Sequence, residues 1–130
     1  MLSIAASSAL SNSASDCWAV SPSVSAREKL ASLIFDYRRF GASEGEPRQL
    51  LVPRDELEDW RSAFAFARSL PGVDRARIAL WGTSFAGGLV VSAAAAEGDV
   101  AAIVSQCPLM DGRAAALTFA RYAGLPMLLR

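Results

Sequence analysis

The stretch Arg77–Gly88, reading Arg-Ile-Ala-Leu-Trp-Gly-Thr-Ser-Phe-Ala-Gly-Gly, admits few backbone paths. Ile78–Trp81 is a short apolar run with a β-branched and an aromatic residue, preceded by charge and followed by glycine. That is the pattern of a buried strand. After the turn at Gly82–Thr83, Phe85–Ala96 is dense in alanine and glycine. It predicts a helix able to lie close against a sheet and ending at Gly98. A serine at the tip of such a strand-to-helix turn, flanked two residues away on each side by small residues, has the layout of a nucleophile elbow. The turn is tight enough to strain the serine backbone and to crowd its flanks. Gly82 and Ala86 meet the size condition around Ser84, giving G-x-S-x-A in place of G-x-S-x-G.

The rest of the chain supplies further strands and helices around this one. Met1–Ser25 is rich in serine and alanine, with short apolar pieces broken by Ser21-Pro22-Ser23, and is read as an irregular N-terminal segment ahead of a domain over 26–130. Ser25 is placed to cap a short helix over Ala26–Lys29, and Leu33-Ile34-Phe35 forms a strand ending at Asp36. Asp36–Phe40 leads into a loop, Gly41–Pro47, at the carboxyl end of that strand, where parallel sheets place their sites. From Arg54 to Leu70, Leu57, Trp60, Phe64 and Ala67 recur at helical spacing, with acids early and Arg61 and Arg68 later, as the helix dipole prefers. Pro71-Gly72 ends that helix, Val100–Val104 predicts a third strand, and Arg113–Tyr122 a last helix. Alternating strands and helices imply right-handed crossovers and a parallel sheet covered on both faces, a three-layer α/β sandwich.

Composition removes several function classes. Lys and Arg number 13 and so do Asp and Glu, which leaves no basic field for nucleic acid. The chain has no histidine, and Cys17 and Cys107 lack metal-ligand spacing, so the usual zinc patterns are impossible and no cofactor is implied. The two cysteines are expected to be buried free thiols. No apolar run approaches the roughly 18 residues of a membrane span, and the start lacks a positive n-region. A soluble cytoplasmic protein that takes no membrane partner is the expectation. Gly82–Gly88 does not carry the Gly-Lys-Ser/Thr ending of a P-loop, nor glycines at G-x-G-x-x-G, which sets nucleotide binding aside.

Two motifs in order, Asp36-Tyr37-Arg38-Arg39-Phe40-Gly41-Ala42-Ser43-Glu44-Gly45 and Trp81-Gly82-Thr83-Ser84-Phe85-Ala86-Gly87-Gly88, resemble the α/β-hydrolase superfamily. More narrowly they are similar to its dienelactone-hydrolase-like and peptidase-like serine esterase branches. The likeness runs from about Leu30 to Gly112. It implies that Ser84 is the nucleophile, that the backbone N–H of Phe85 is one oxyanion donor, and that a small-molecule ester, thioester or amide is cleaved through an acyl-enzyme.

Three departures from that family bear on activity. The family takes the serine proton with a histidine that follows the acid in chain order, and this chain has none. The strands that carry the family's acid and histidine find no counterpart. Nor does the strand expected before Leu30, whose place between Leu33–Phe35 and the elbow strand would then be a gap with unpaired backbone groups. The chain therefore reads as a truncated, partial α/β hydrolase without a working base. The alternative is a non-catalytic binding module derived from one. Ser84 also has a plain structural reading as a helix N-cap. Asp36 is expected to brace its loop by accepting from amides, and Asp111-Gly112 is an ordinary turn signal before it is a catalytic acid. Trp60 and Phe64 are expected in the core, and Arg38 and Arg39 in solvent.

Overall fold

The computed structural model describes residues 2–7, 18–21 and 31–123. Their elements are β1 (Leu2–Ser7), β2 (Trp18–Ser21), β3 (Ala31–Asp36), α1 (Pro53–Ser69), β4 (Ile78–Thr83), α2 (Phe85–Glu97), β5 (Ala102–Gln106) and α3 (Gly112–Ala123), with a 3-10 turn at Arg75–Arg77. The strands form one sheet in the order β2-β3-β1-β4-β5. All adjacent pairs are parallel except β2 with β3, which is antiparallel.

The strand β1 corrects the expected gap. Residues 1–25 were expected to be irregular, yet Leu2–Ser7 lies between β3 and β4, with Ile4 opposite Leu33 on one side and Leu80 on the other. A second piece of the same segment, Trp18–Ser21, pairs with β3 from Phe35 back to Ser32. Pairing on both sides satisfies the backbone groups of β1 that an isolated serine-rich stretch could not satisfy for itself. The helix expected over Ala26–Lys29 lies outside the described residues, as does Cys17.

The helices follow the sequence closely. Pro53 opens α1 at its first turn, where a missing N–H costs nothing, and Asp55 and Glu56 sit near the positive end of its dipole with Arg68 in the last turn. The apolar face of α1 buries Trp60, Ala63, Phe64 and Ala67. These meet Leu33 and Phe35 of β3, Ile78 and Leu80 of β4, and Leu89, Val90 and Ala93 of α2 in a single core. The Trp60 ring meets Phe35 edge-on at a centroid distance of 5.1 Å, and Phe35 meets Tyr37 in the same way at 5.4 Å. Trp60 Nε1 donates to the Tyr37 hydroxyl oxygen at 2.8 Å, which satisfies a buried donor. Burial pushes the Tyr37 hydroxyl well above its usual pKa, so it stays protonated. Gly98, at φ 75°, ends α2.

The packed helices α1 and α2 lie side by side on one face of the sheet. On the other face Trp81 is 38% exposed and its partner across the β4–β5 ladder, Val104, is 51% exposed. Among the described residues the expected sandwich is thus realised as a parallel sheet with one fully packed helical layer. Helix α3 makes no more than marginal contact with other elements and exposes Leu117, Phe119 and Tyr122. None of the described helices is long and apolar enough to cross a membrane.

Candidate active site

The elbow has the geometry that its sequence requires. β4 ends at Thr83, α2 begins at Phe85, and Ser84 between them sits at φ 57°, ψ −116°. This is a sparsely populated region for a residue with a Cβ, and it marks stored backbone strain. Although Ser84 is the N-cap of α2, its hydroxyl makes no capping hydrogen bond, and the residue is exposed. The plain N-cap reading predicts that bond, so the side chain is left free for other chemistry. Phe85 is the first residue of α2, and its N–H lies ahead of any intrahelical acceptor.

The flanks explain themselves at atomic level. A Cβ on Gly82 would lie 2.4 Å from the Ala86 carbonyl oxygen and 2.9 Å from the Gly87 nitrogen. One on Gly88 would lie 2.2 Å from the Leu109 carbonyl oxygen. Both positions are closed to side chains because backbone, which cannot rotate away, occupies the space. The end of β5 and the turn after it grip the elbow from the other side. Ser84 N–H donates to Gln106 O at 2.9 Å, and Leu109 N–H donates to Ser84 O at 2.8 Å. The Thr83 hydroxyl donates to Gln106 Oε1 at 3.0 Å, and the Ser105 hydroxyl donates to Gly87 O at 2.7 Å. Sequence reasoning missed this strap, because nothing local in Ser105–Leu109 marks it as the neighbour of Ser84.

The Asp36–Gly45 loop stands at the same pole of the sheet, after β3. Asp36 Oδ2 accepts from Ala42 N–H at 3.0 Å, and its main-chain oxygen accepts from the Ser43 hydroxyl at 2.8 Å, the bracing role expected of it. Gly41, at φ 50°, packs its Cα where a Cβ would strike the Asp36 carboxylate. Arg38 and Arg39 depart from expectation, for neither is simply solvated. Arg38 binds Asp59 through its own N–H at 2.9 Å and through Nε at 2.8 Å, and Arg39 Nη1 reaches Asp55 Oδ2 at 2.7 Å. Asp55, which complements the α1 dipole, thereby also anchors the loop, together with Asp59 in the second turn. Arg48 closes the loop from within by donating to Ser43 O and Gly41 O.

Other candidates fall away from the site. Asp111 Oδ1 caps α3, accepting from Arg113 N–H at 2.8 Å and Ala114 N–H at 3.0 Å. Cys107, expected to be buried, is exposed at φ 45° just past β5, which among the described residues is the edge strand of the sheet. A cavity of about 460 Å³ beside Arg68, Arg75 and Asp99 lies at the amino end of β4 and β5, the pole opposite the elbow. A smaller one of about 170 Å³ lies between the Ser43–Glu44 turn and Asp59 of α1. Neither includes Ser84.

A parallel sheet, a strained serine at a strand-to-helix elbow and a braced loop at the same pole define an α/β hydrolase. Two solved structures share this fold. The α/β hydrolase GrgF from a Penicillium species superposes with a TM-score of 0.66 at 26% identity, covering 93% of this chain and 43% of that one. DcsB, solved with a substrate analogue, gives 0.65 at 25%, covering 94% and 42%. Residues 41–123 match the acetyl xylan esterase (AXE1) family, and the chain belongs to it. Among curated relatives, the quorum-quenching protein AidA of Acinetobacter baumannii is 55% identical over 85 residues, 65% of this chain and 28% of AidA. The thiohydrolase aneE of Aspergillus aculeatus is 42% identical over 82 residues, 63% of this chain and 26% of the enzyme. The chain thus spans little more than a quarter of the length of these relatives.

Proposed function

We propose that this chain carries the nucleophile-bearing part of a serine hydrolase acting on ester, thioester or amide bonds of small acyl substrates. In this reading Ser84 Oγ attacks the acyl carbonyl, the Phe85 N–H donates a hydrogen bond to the oxyanion that develops, and the bond to the leaving alcohol, thiol or amine breaks, that group departing with the serine proton as the acyl-enzyme forms. Water then attacks the acyl carbonyl and releases Ser84. The observation that carries the reading is the exposed Ser84 at φ 57°, ψ −116°, with its hydroxyl free of the capping bond. The names of its relatives, an acetyl xylan esterase family and a thiohydrolase, support acyl chemistry of this kind. No cofactor is needed for it.

The proton of Ser84 needs a base, and these 130 residues contain no histidine to serve as one. The chain by itself is therefore expected to be nearly inert, with the base coming from sequence outside it. A fluorophosphonate reagent, followed by intact-mass measurement and peptide mapping, tests the assignment. Slow phosphonylation at Ser84 that accelerates with added imidazole, and that disappears in Ser84→Ala, is the expected result. Labelling that is unchanged in Ser84→Ala would refute the role of Ser84, and rapid labelling without imidazole would refute the claim of inertness.

A further inference from the structure

The conformation of Ser84 does not hold itself. Its φ and ψ are costly for any residue with a Cβ and persist only where the surroundings over-determine them. Helix α2 contributes one bond to the residue, from Gly88 N–H to Ser84 O at 3.2 Å. The remaining grip comes from β5 and the turn after it. Thr83 and Gln106 are the last pair of the β4–β5 ladder, the place where a parallel ladder frays first. There the ladder is tied twice by one residue. Gln106 O accepts from the Ser84 N–H at 2.9 Å, and Gln106 Oε1 accepts from the Thr83 hydroxyl at 3.0 Å.

We infer that Gln106, working with the Thr83 hydroxyl, is the positioning residue of the nucleophile, an inference that rests on the reading of Ser84 as that nucleophile. The side-chain tie stops β4 from splaying off β5 at Thr83, and this keeps the next bond, Ser84 N–H to Gln106 O, in register. Released from that bond, Ser84 relaxes toward an ordinary φ. The Phe85 N–H then turns away from the point where negative charge develops. Because Thr83 and Gln106 are both exposed, water replaces their mutual bond at little cost to the folded state. The tie therefore acts on the direction of the elbow far more than on the stability of the chain.

An anion placed at position 84 reads this direction without needing a base. In a background of Cys17→Ser and Cys107→Ser, the variant Ser84→Cys puts a thiol at the N-terminus of the 13-residue helix α2. Well-aimed N–H groups at that end lower a thiol pKa below its usual value of about 8.5. The pH midpoint of iodoacetamide alkylation is the measurement, with a thermal melt alongside. With the clamp intact the thiol is expected to titrate below the ordinary range. Gln106→Ala and Thr83→Val should each raise the midpoint by about half a unit or more, and Thr83→Ser should leave it in place. Melting temperatures should move by no more than about 2 °C. A low midpoint unmoved by Gln106→Ala and Thr83→Val overturns the clamp while leaving the reading of Ser84 intact. A thiol that titrates at the ordinary value with the clamp intact overturns the poised elbow itself, and the inference with it.

Discussion

Replacing Gly82 by alanine adds one methyl group at the most crowded point of the elbow. The new Cβ would lie 2.4 Å from the Ala86 carbonyl oxygen, 2.6 Å from its carbon and 2.9 Å from the Gly87 nitrogen. Ordinary carbon–oxygen contact is roughly 1 Å longer than the first of these, so either β4 or the first turn of α2 has to retreat by about that distance. Neither is free to do so. Gly82 is pinned in register opposite Ser105, and the turn is held by the Ser105 hydroxyl on Gly87 O and by Leu109 N–H on Ser84 O. Overpacking of this kind costs about 1–3 kcal/mol. At about 2.1 cal/mol/K per residue, the unfolding entropy of the 130-residue chain is about 0.27 kcal/mol/K, so the melting temperature should fall by about 4–11 °C.

The matched control is Gly112→Ala, at the first residue of α3, where an added Cβ meets nothing within 4 Å and φ is not positive. Relief of unfolded-state entropy there is worth about 0.4–1 kcal/mol, which should leave the melting temperature unchanged or raise it by about 1–4 °C. Far-UV circular dichroism at one protein concentration measures both variants. A Gly82→Ala protein melting within 1 °C of its parent, or a Gly112→Ala protein falling as far as Gly82→Ala, refutes the argument that backbone contact at the elbow sets the requirement for glycine.

Three further outcomes follow from the core and the loop. Glu56 is fully buried, with Oε1 accepting from Val52 N–H at 3.2 Å and Oε2 without a partner among the described residues, and its pKa is raised, first by desolvation, against the lowering effect of backbone hydrogen bonds. A carboxyl raised in the folded state contributes stability while protonated, and that stability is lost as pH climbs from its ordinary unfolded value through the raised folded one. Glu56→Gln keeps the Val52 bond, so its stability relative to the parent should improve across that rise, and a difference that stays flat between pH 4 and pH 8 in urea melts counts against the buried charge. Arg38→Ala and Asp59→Ala should each cost about 1 kcal/mol, discounted for the part-exposed arginine, and the double variant should cost less than the two together because both remove the same contact, Arg38 Nε and Nη2 on Asp59 Oδ1; strict additivity in denaturant melts contradicts the pairing. Tyr37→Phe strands the buried Trp60 Nε1 and should cost about 1–3 kcal/mol, with Trp60→Phe recovering part of that loss in the Tyr37→Phe background.

The parts of the fold that were legible in the sequence are those whose cause is local. Within Ile78–Gly88 the strand pattern, the turn glycine, the small flanks and the helix formers all agree, and the elbow needs only them. The periodicity of Leu57, Trp60, Phe64 and Ala67 located α1 to within a residue. β1 is obscured by serine and by alanine at both 5 and 6, which blur the alternation of Leu2 and Ile4 with Ser3. Its identity as a strand is decided by Leu33 and Leu80, far along the chain. Arg38 and Arg39 were misread for the same reason, since their acids lie 16 and 21 residues away on a helix whose charges already had a local explanation in the dipole. Gln106 carries no local mark at all, and only the pairing of β5 with β4 makes it a neighbour of Ser84.

That pairing order also says why the elbow lies where it does. From β1 the chain passes through β2 to β3 on one side, then crosses to β4 on the other, so the direction of winding reverses at β1. In open α/β sheets the crevice for ligands opens at the carboxyl ends of the strands on either side of such a reversal. Here those strands are β3, which ends in the loop braced by Asp36, and β4, which ends in Ser84. They are two strand spacings apart, about 10 Å, with the end of β1 at Ser7 between them. A gap at that place would have left the two motifs on unconnected edges. With β1 present they stand at one pole of a single sheet, and Leu2–Ser7, paired with β3 on one side and β4 on the other, is what holds the Ser84 elbow and the Asp36 loop in one frame.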